Sequence, residues 1–172
     1  AGGGAGEMNI KRLFCHLLQP PWLARRVFSP AVIGGIEDAV KHSERLHRGE
    51  LRVVVETNPD LRPLLRDRVR ERGPVSFFPE LGAWDTAGNS GVLLYINHTD
   101  RDIEIVADRG ISAQVTQQQW EAICRSMEQA FREHHFEAGL LEGICQITVL
   151  LTRHFPAAAD NPDELGNRPA LL

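Results

Sequence analysis

The stretch Trp84-Asp85-Thr86-Ala87-Gly88-Asn89-Ser90-Gly91, followed by Val92-Leu93-Leu94-Tyr95-Ile96-Asn97 and then Asp100-Arg101-Asp102-Ile103-Glu104-Ile105-Val106, decides the fold. Its first part is polar and Gly-bearing, the chemistry of a loop. The apolar run Val92–Ile96 that follows has the length and composition of a buried strand. His98–Asp102 supplies the turn and Ile103–Ala107 the second strand of a hairpin.

Outward from the hairpin, periodicity assigns the remaining elements. Ser29-Pro30 is a helix start, with Ser29 as N-cap and Pro30 at the first helical position. Val32, Ile36, Ala39, Ser43 and Leu46 then repeat at helical spacing, and Gly49 is placed to stop the helix. Leu51–Glu56 reads as a strand whose Val53-Val54-Val55 centre is apolar on both faces, as in a strand covered by helices on each side. Asp60–Arg72 reads as a helix ended by Gly73-Pro74, and Pro74–Gly91 as a long loop. Thr116 with Gln119 forms a capping-box pattern, and Trp120, Ile123, Cys124, Met127 and Phe131 mark the buried stripe of the helix it opens. His134-His135 breaks that helix. Leu140, Ile144, Ile147, Leu151 and Phe155 predict a last helix from Phe136 to about His154. One strand after a helix, then a hairpin, then two helices predicts an α/β fold, a three-layer α/β/α sandwich around a small mixed β-sheet.

Four regions follow. Residues 1–7, Ala1-Gly2-Gly3-Gly4-Ala5-Gly6-Glu7, lack periodicity and read as a cloning scar before a native start at Met8. Residues 8–28 form an amphipathic N-terminal segment, with Ile10, Leu13, Phe14, Leu17 and Leu18 at helical spacing. Residues 29–155 form the domain, and 156–172 an extended C-terminal tail.

Asn89-Ser90-Gly91-Val92-Leu93-Leu94, Asp100-Arg101 and Gly110-Ile111 together resemble the recurring block of the TPM domain family, the TPM phosphatase domain proteins of bacteria and the thylakoid lumen. The resemblance spans roughly Pro30 to His154 and is specific in Asn89–Gly110. It implies a sheet of about four strands with helices on both faces. By its name the family implies a phosphatase.

With 172 residues the chain holds one substantial core. Its formal charge of −4 gives no pull toward nucleic acid. Arg62, Arg66, Arg68, Arg70 and Arg72 are interleaved with Asp60, Asp67 and Glu71, the pattern of a solvated helix face. The longest apolar run, five residues, is far short of the roughly 20 that span a membrane. Cys15, Cys124 and Cys145, odd in number and set among apolar neighbours, read as buried thiols of a cytoplasmic protein.

Hairpin geometry brings Asp85, Asn89 and Asp108 to one edge, an oxygen-rich set suited to Ca²⁺ or Mg²⁺. The alternative is that Asp85 and Asn89 are turn-formers and Asp108 pairs with Arg109 or Arg101. The opposite end of the sheet gathers Thr57, Asn58 and Asp60 with Asp100, Arg101 and Asp102. No covalent nucleophile or zinc spacing is visible in the sequence. Two functions compete. One is a non-catalytic binding module of this domain type, docking a protein partner or a membrane surface through the N-terminal helix. The other, implied by the resemblance, is a metal-assisted acid phosphatase acting on phosphomonoesters.

Overall fold

A computed structural model describes residues 27–57, 90–98, 101–158 and 167–171. The elements are α1 (Pro30–Glu44), β1 (Glu50–Glu56), β2 (Gly91–Asn97), β3 (Asp102–Ala107), α2 (Arg109–Ser112), α3 (Gln117–Arg132), α4 (Phe136–His154) and β4 (Ala170–Leu171). The segment 8–22 and the helix expected at Asp60–Arg72 lie outside the described residues.

The four strands form one mixed sheet in the order β3-β2-β1-β4. β1 runs parallel to both β2 and β4, and β2 pairs antiparallel with β3. Leu51, Val53 and Val55 of β1, Val92, Leu94 and Ile96 of β2, and Ile103 and Ile105 of β3 turn one face toward the helices and join their core. Val54 and Leu93 face the other way and are equally inaccessible to solvent. Burial on both faces explains why β1 and β2 read as continuous apolar runs.

Local chemistry sets the helix starts. The Ser29 hydroxyl accepts from the Val32 N–H at 3.4 Å, with Pro30 behind it. The Gln119 side chain accepts from the Thr116 N–H at 2.9 Å. Trp120, Ile123, Met127 and Phe131 bury one stripe of α3. Leu140, Ile144, Ile147 and Leu151 bury the facing stripe of α4.

Two glycines let these helices approach closely. A Cβ on Gly139 would stand 2.6 Å from Ala130 Cβ, and one on Gly143 would stand 2.2 Å from Met127 Sδ.

α1 departs from the sequence reading at its end. It stops at Glu44 rather than near Gly49 because the following residues bond elsewhere: Arg48 N–H donates to Phe155 O at 2.9 Å, and Leu46 O accepts from Ala157 N–H at 3.2 Å. The buried face is rotated as well, to Ile33, Ile36, Val40, Ser43 and Glu44, with Leu46 exposed. Glu44 turns inward because its carboxylate accepts from Leu51 N–H at 2.9 Å and from Asn167 Nδ2. The tail therefore returns to the domain, and Ala170–Leu171 pairs with Val54 and Val55. Cys145, expected to be buried, is exposed on α4.

The helix contacts make opposite predictions for two glycines. Gly139→Ala should destabilise by about 1–3 kcal/mol despite its better helix propensity, because Ala130 Cβ can yield only by moving backbone. Gly34→Ala, in α1 with nothing within 4 Å of its added Cβ, should stabilise by about 0.5–1 kcal/mol. Urea denaturation of both variants measures the pair. A Gly139→Ala protein as stable as wild type would contradict the close approach.

Candidate functional site

The carboxyl ends of β1 and β2 lie side by side, with Glu56 in register with Asn97 and Asn97 with Asp102. Tyr95 Oη donates to Glu56 Oε2 on the sheet face away from the helical core. The turn that follows holds Arg101 at φ 56°, a left-handed conformation uncommon for a side chain of its size.

His98 is 4 % exposed. It is wedged edge-on between Phe28 and Phe136, with ring centroids 5.3 and 4.8 Å away. Burial, with the Arg101 charge adding to it, pushes its imidazole down to about 4, so the ring is neutral at pH 7. Thr57, Arg101 and Asp102 lie at this end of the sheet, with β2 between the first and the other two. Asn58, Asp60 and Asp100 lie outside the described residues.

At the other end, Glu50 N–H donates to Ser90 O and Asp108 N–H to Gly91 O, at 3.0 and 2.9 Å. The Asp108 carboxylate caps α2, accepting from Arg109 N–H at 2.6 Å. Asp85 and Asn89, the other members of the oxygen-rich set, lie outside the described residues. Among the described residues no group of three His, Cys, Asp or Glu side chains is close enough to hold a metal ion, and no helix is long and apolar enough to cross a membrane.

A feature that sequence reasoning missed lies along β3. Among the described residues this strand ends the sheet, and α3 packs beside it. Between them runs a cleft of about 730 Å³, floored by Ile105 and Trp120 and rimmed by Glu104, Glu121, Arg125 and Glu128. Trp120 is 3 % exposed, and its indole Nε1 has no acceptor among the described residues. Cys124 stands in the cleft with its sulfur against the Ile105 N–H. Burial pushes its thiol up to about 11; the Ile105 N–H opposes that rise, and the Glu128, Glu104 and Asp102 carboxylates add to it. It is a protonated thiol at neutral pH, a poor nucleophile. The alternation of acidic Glu104 with Ile103 and Ile105 is the only signal of an edge strand in the sequence, and it needs the strand order to be read.

A second hollow, of about 550 Å³, lies between α1 and α4 and includes the exposed Leu46 and Val149.

The family model described as TPM domain matches residues 24–150. Among solved structures, the chain is similar to the NMR structure of BA42 protein from the psychrophilic bacterium Bizionia argentinensis. The identity is 27%, the TM-score is 0.69, and the match covers 84% of this chain and 94% of that one. No curated protein sequence matches.

The buried imidazoles generate a pH prediction. His98 and His47 are both held down to about 4, each chiefly by burial. Unfolded histidines bind protons near pH 6.5 and these folded ones near 4, so the unfolded state carries more protons between those values. The stabilisation is therefore complete above pH 6.5 and is lost as pH falls toward 4, at up to about 1.4 kcal/mol per pH unit for each ring. Urea midpoints at pH 7.5, 6 and 4.5 should fall in that order. His98→Phe, which keeps the aromatic stack, should show a shallower fall. Equal slopes in the two proteins would remove His98 from the account.

Proposed function

The chain belongs to the TPM domain family, and from that premise we propose that it is a non-catalytic binding module whose recognition surface is the cleft between β3 and α3. The observation that carries this reading is the cleft itself: a strand edge with no neighbouring strand among the described residues, beside a buried indole N–H that likewise has no acceptor among them. Concave surfaces with an apolar floor and a few convergent polar groups are the usual form of a binding site. The chemistry of the cleft points the same way, since its thiol is held protonated by burial and serves as a wall rather than as an attacking group. The amphipathic N-terminal segment, residues 8–28, is a second candidate surface for a protein partner or a membrane. Free Cys124 and exposed Cys145 suit a reducing compartment such as the cytoplasm.

The second reading, a metal-assisted acid phosphatase, is supported by the family's name and by the oxygen-rich set Asp85, Asn89 and Asp108. There Ca²⁺ or Mg²⁺ would polarise a phosphoryl oxygen. The cap bond from Arg109 already engages Asp108, so a cation would have to share that carboxylate with the helix end.

Two measurements separate the readings. Hydrolysis of an aryl phosphate should stay at the blank rate with Ca²⁺, Mg²⁺ or chelator; cation-dependent turnover that Asp85→Asn abolishes would establish the phosphatase. Calorimetry supplies the other. A cation site at 100 times its dissociation constant adds about 2.7 kcal/mol, a midpoint rise of several degrees. The binding-module reading expects no such rise, and Asp108→Ala should cost about 1 kcal/mol as a lost helix cap whether or not Ca²⁺ is present.

A further inference from the structure

α1 and α4 run side by side in the same direction. A Cβ on Gly35 would stand 4.0 Å from Glu137 Oε1, and further along both helices the Ser43 hydroxyl meets Thr148 Oγ1 at 2.6 Å. Each helix carries acids before bases: Glu37 and Asp38 precede Lys41, His42 and Arg45 on α1, and Glu137 and Glu142 precede Arg153 and His154 on α4. The hollow between them is apolar in its middle, where Leu46 is 42 % and Val149 62 % exposed. On α4, Glu142, Cys145, Val149 and Arg153 follow at intervals of three and four residues, and all four are exposed. One helix face thus presents an apolar centre between an acidic and a basic end.

We infer that this face pairs with the same face of a second copy of the chain, the helices of the two copies lying antiparallel about a two-fold axis. The inference goes beyond the binding-module reading and is independent of what the cleft between β3 and α3 takes. Self-complementarity carries it. In an isologous interface every contact occurs twice, so a face acidic at one end and basic at the other satisfies itself only when one copy is reversed. With the axis level with the middle of the turn from Cys145 to Val149, Glu142 meets Arg153 of the second copy and Val149 meets Cys145. On α1, Ala39 then lies opposite Leu46 of the second copy, small against large. The Glu142 carboxylate accepts from Gln146 Nε2 at 3.0 Å, and neither it nor Arg153 has an ion-pair partner among the described residues.

Charge also decides between occupants. The chain's own amphipathic segment carries Lys11, Arg12 and His16 and would bring cations to the basic end. An anionic membrane would suit the basic end and be repelled by the acidic one. The formal charge of −4 on each copy opposes pairing only weakly, because charges farther apart than about 8 Å are screened at physiological salt while the facing pairs are in contact. The face offers fewer residues than the roughly 20–30 a side of a standard interface, which places the dimer in the weak class and sets the concentrations at which it is sought.

Sedimentation equilibrium of the full chain in reducing buffer, from about 5 to about 500 μM, should show the average mass rising from one chain of 19.2 kDa toward two. Val149→Asp, at an exposed position, should weaken association at least tenfold. Glu142→Arg and Arg153→Glu should each weaken it about tenfold, and the double variant should return to within about threefold of wild type, a recovery that only the antiparallel pairing produces. A bismaleimide spanning about 10 Å should link the two copies through Cys145, whose positions are offset by about 6 Å along the helices. Cys145→Ser should abolish the link and Cys15→Ser should keep it.

A single-chain mass at the highest concentration overturns the proposal. So does a dimer that ignores the charge reversals or fails to recover in the double variant, since its contact lies elsewhere. A monomer whose Leu13 and Leu17 amide NMR signals shift on Val149→Asp gives the hollow to the chain's own amphipathic segment. A monomer that sediments with phosphatidylglycerol vesicles, but not after Val149→Asp, gives it to a membrane; both overturn pairing with a second copy.

Discussion

Everything in this fold follows from β2 being apolar on both faces. Val92, Leu93, Leu94 and Ile96 are all inaccessible to solvent, which a strand achieves only in the middle of a sheet with both faces covered. β1, equally apolar, takes the parallel place beside it. β3, only four residues further along the chain than β2, takes the other side. Its alternating, half-polar sequence suits an edge, since Ile103 and Ile105 face the core while Glu104 is exposed. The edge position that opens the cleft is thus a consequence of the most apolar strand taking the centre.

The two edges of the sheet are treated differently. On the β1 side, the tail supplies β4, held by a buried carboxylate: Glu44 receives both Leu51 N–H and Asn167 Nδ2. A buried charge is tolerated only when such donors surround it, so the bonds that anchor the tail also justify turning Glu44 inward. Beside it, the Ser43 hydroxyl meets His47 Nε2 at 2.8 Å and Thr148 Oγ1 at 2.6 Å, tying the end of α1 to α4. The β3 side has no added strand among the described residues, only the Ser112 hydroxyl and the Cys124 thiol against its outward groups. Among the described residues, one edge takes an added strand of the protein's own chain and the other meets only side chains.

Short-range chemistry was the legible part of the sequence. Ser29-Pro30, the Thr116–Gln119 box and the periodic apolar positions of α3 and α4 each declare themselves within a few residues, and they appear as expected except that Cys124 and Phe155 are only partly buried. The hairpin was legible because a buried run, a polar break and a second run leave little else possible. What was not legible depends on residues far apart in the chain. α1 ends at Glu44 because residues 46–48 bond to residues 155–157, more than a hundred positions away. Glu44 looks like a surface residue until Asn167 is brought to it. The candidate cleft needs both the strand order and the position of α3. Of the oxygen-rich set, Asp108 is a helix cap in the structure, while Asp85 and Asn89 lie outside the described residues.

The cleft and the helical core are mechanically linked. The distance of α3 from the edge of β3 is fixed from behind, where Gly139 and Gly143 of α4 let Ala130 and Met127 sit almost on its backbone. Met127 and Trp120 lie on the same buried stripe of α3, two turns apart. Any group that pushed Met127 outward would therefore carry Trp120 and Cys124 across the cleft with it, because close-packed helices shift as units rather than deform locally. Small residues in α4, chosen for packing, thereby set the width of a surface that no α4 residue touches. A sequence can therefore specify a surface cleft without a local motif for it: the floor is core, and the packing of α3 on α4 sets its width.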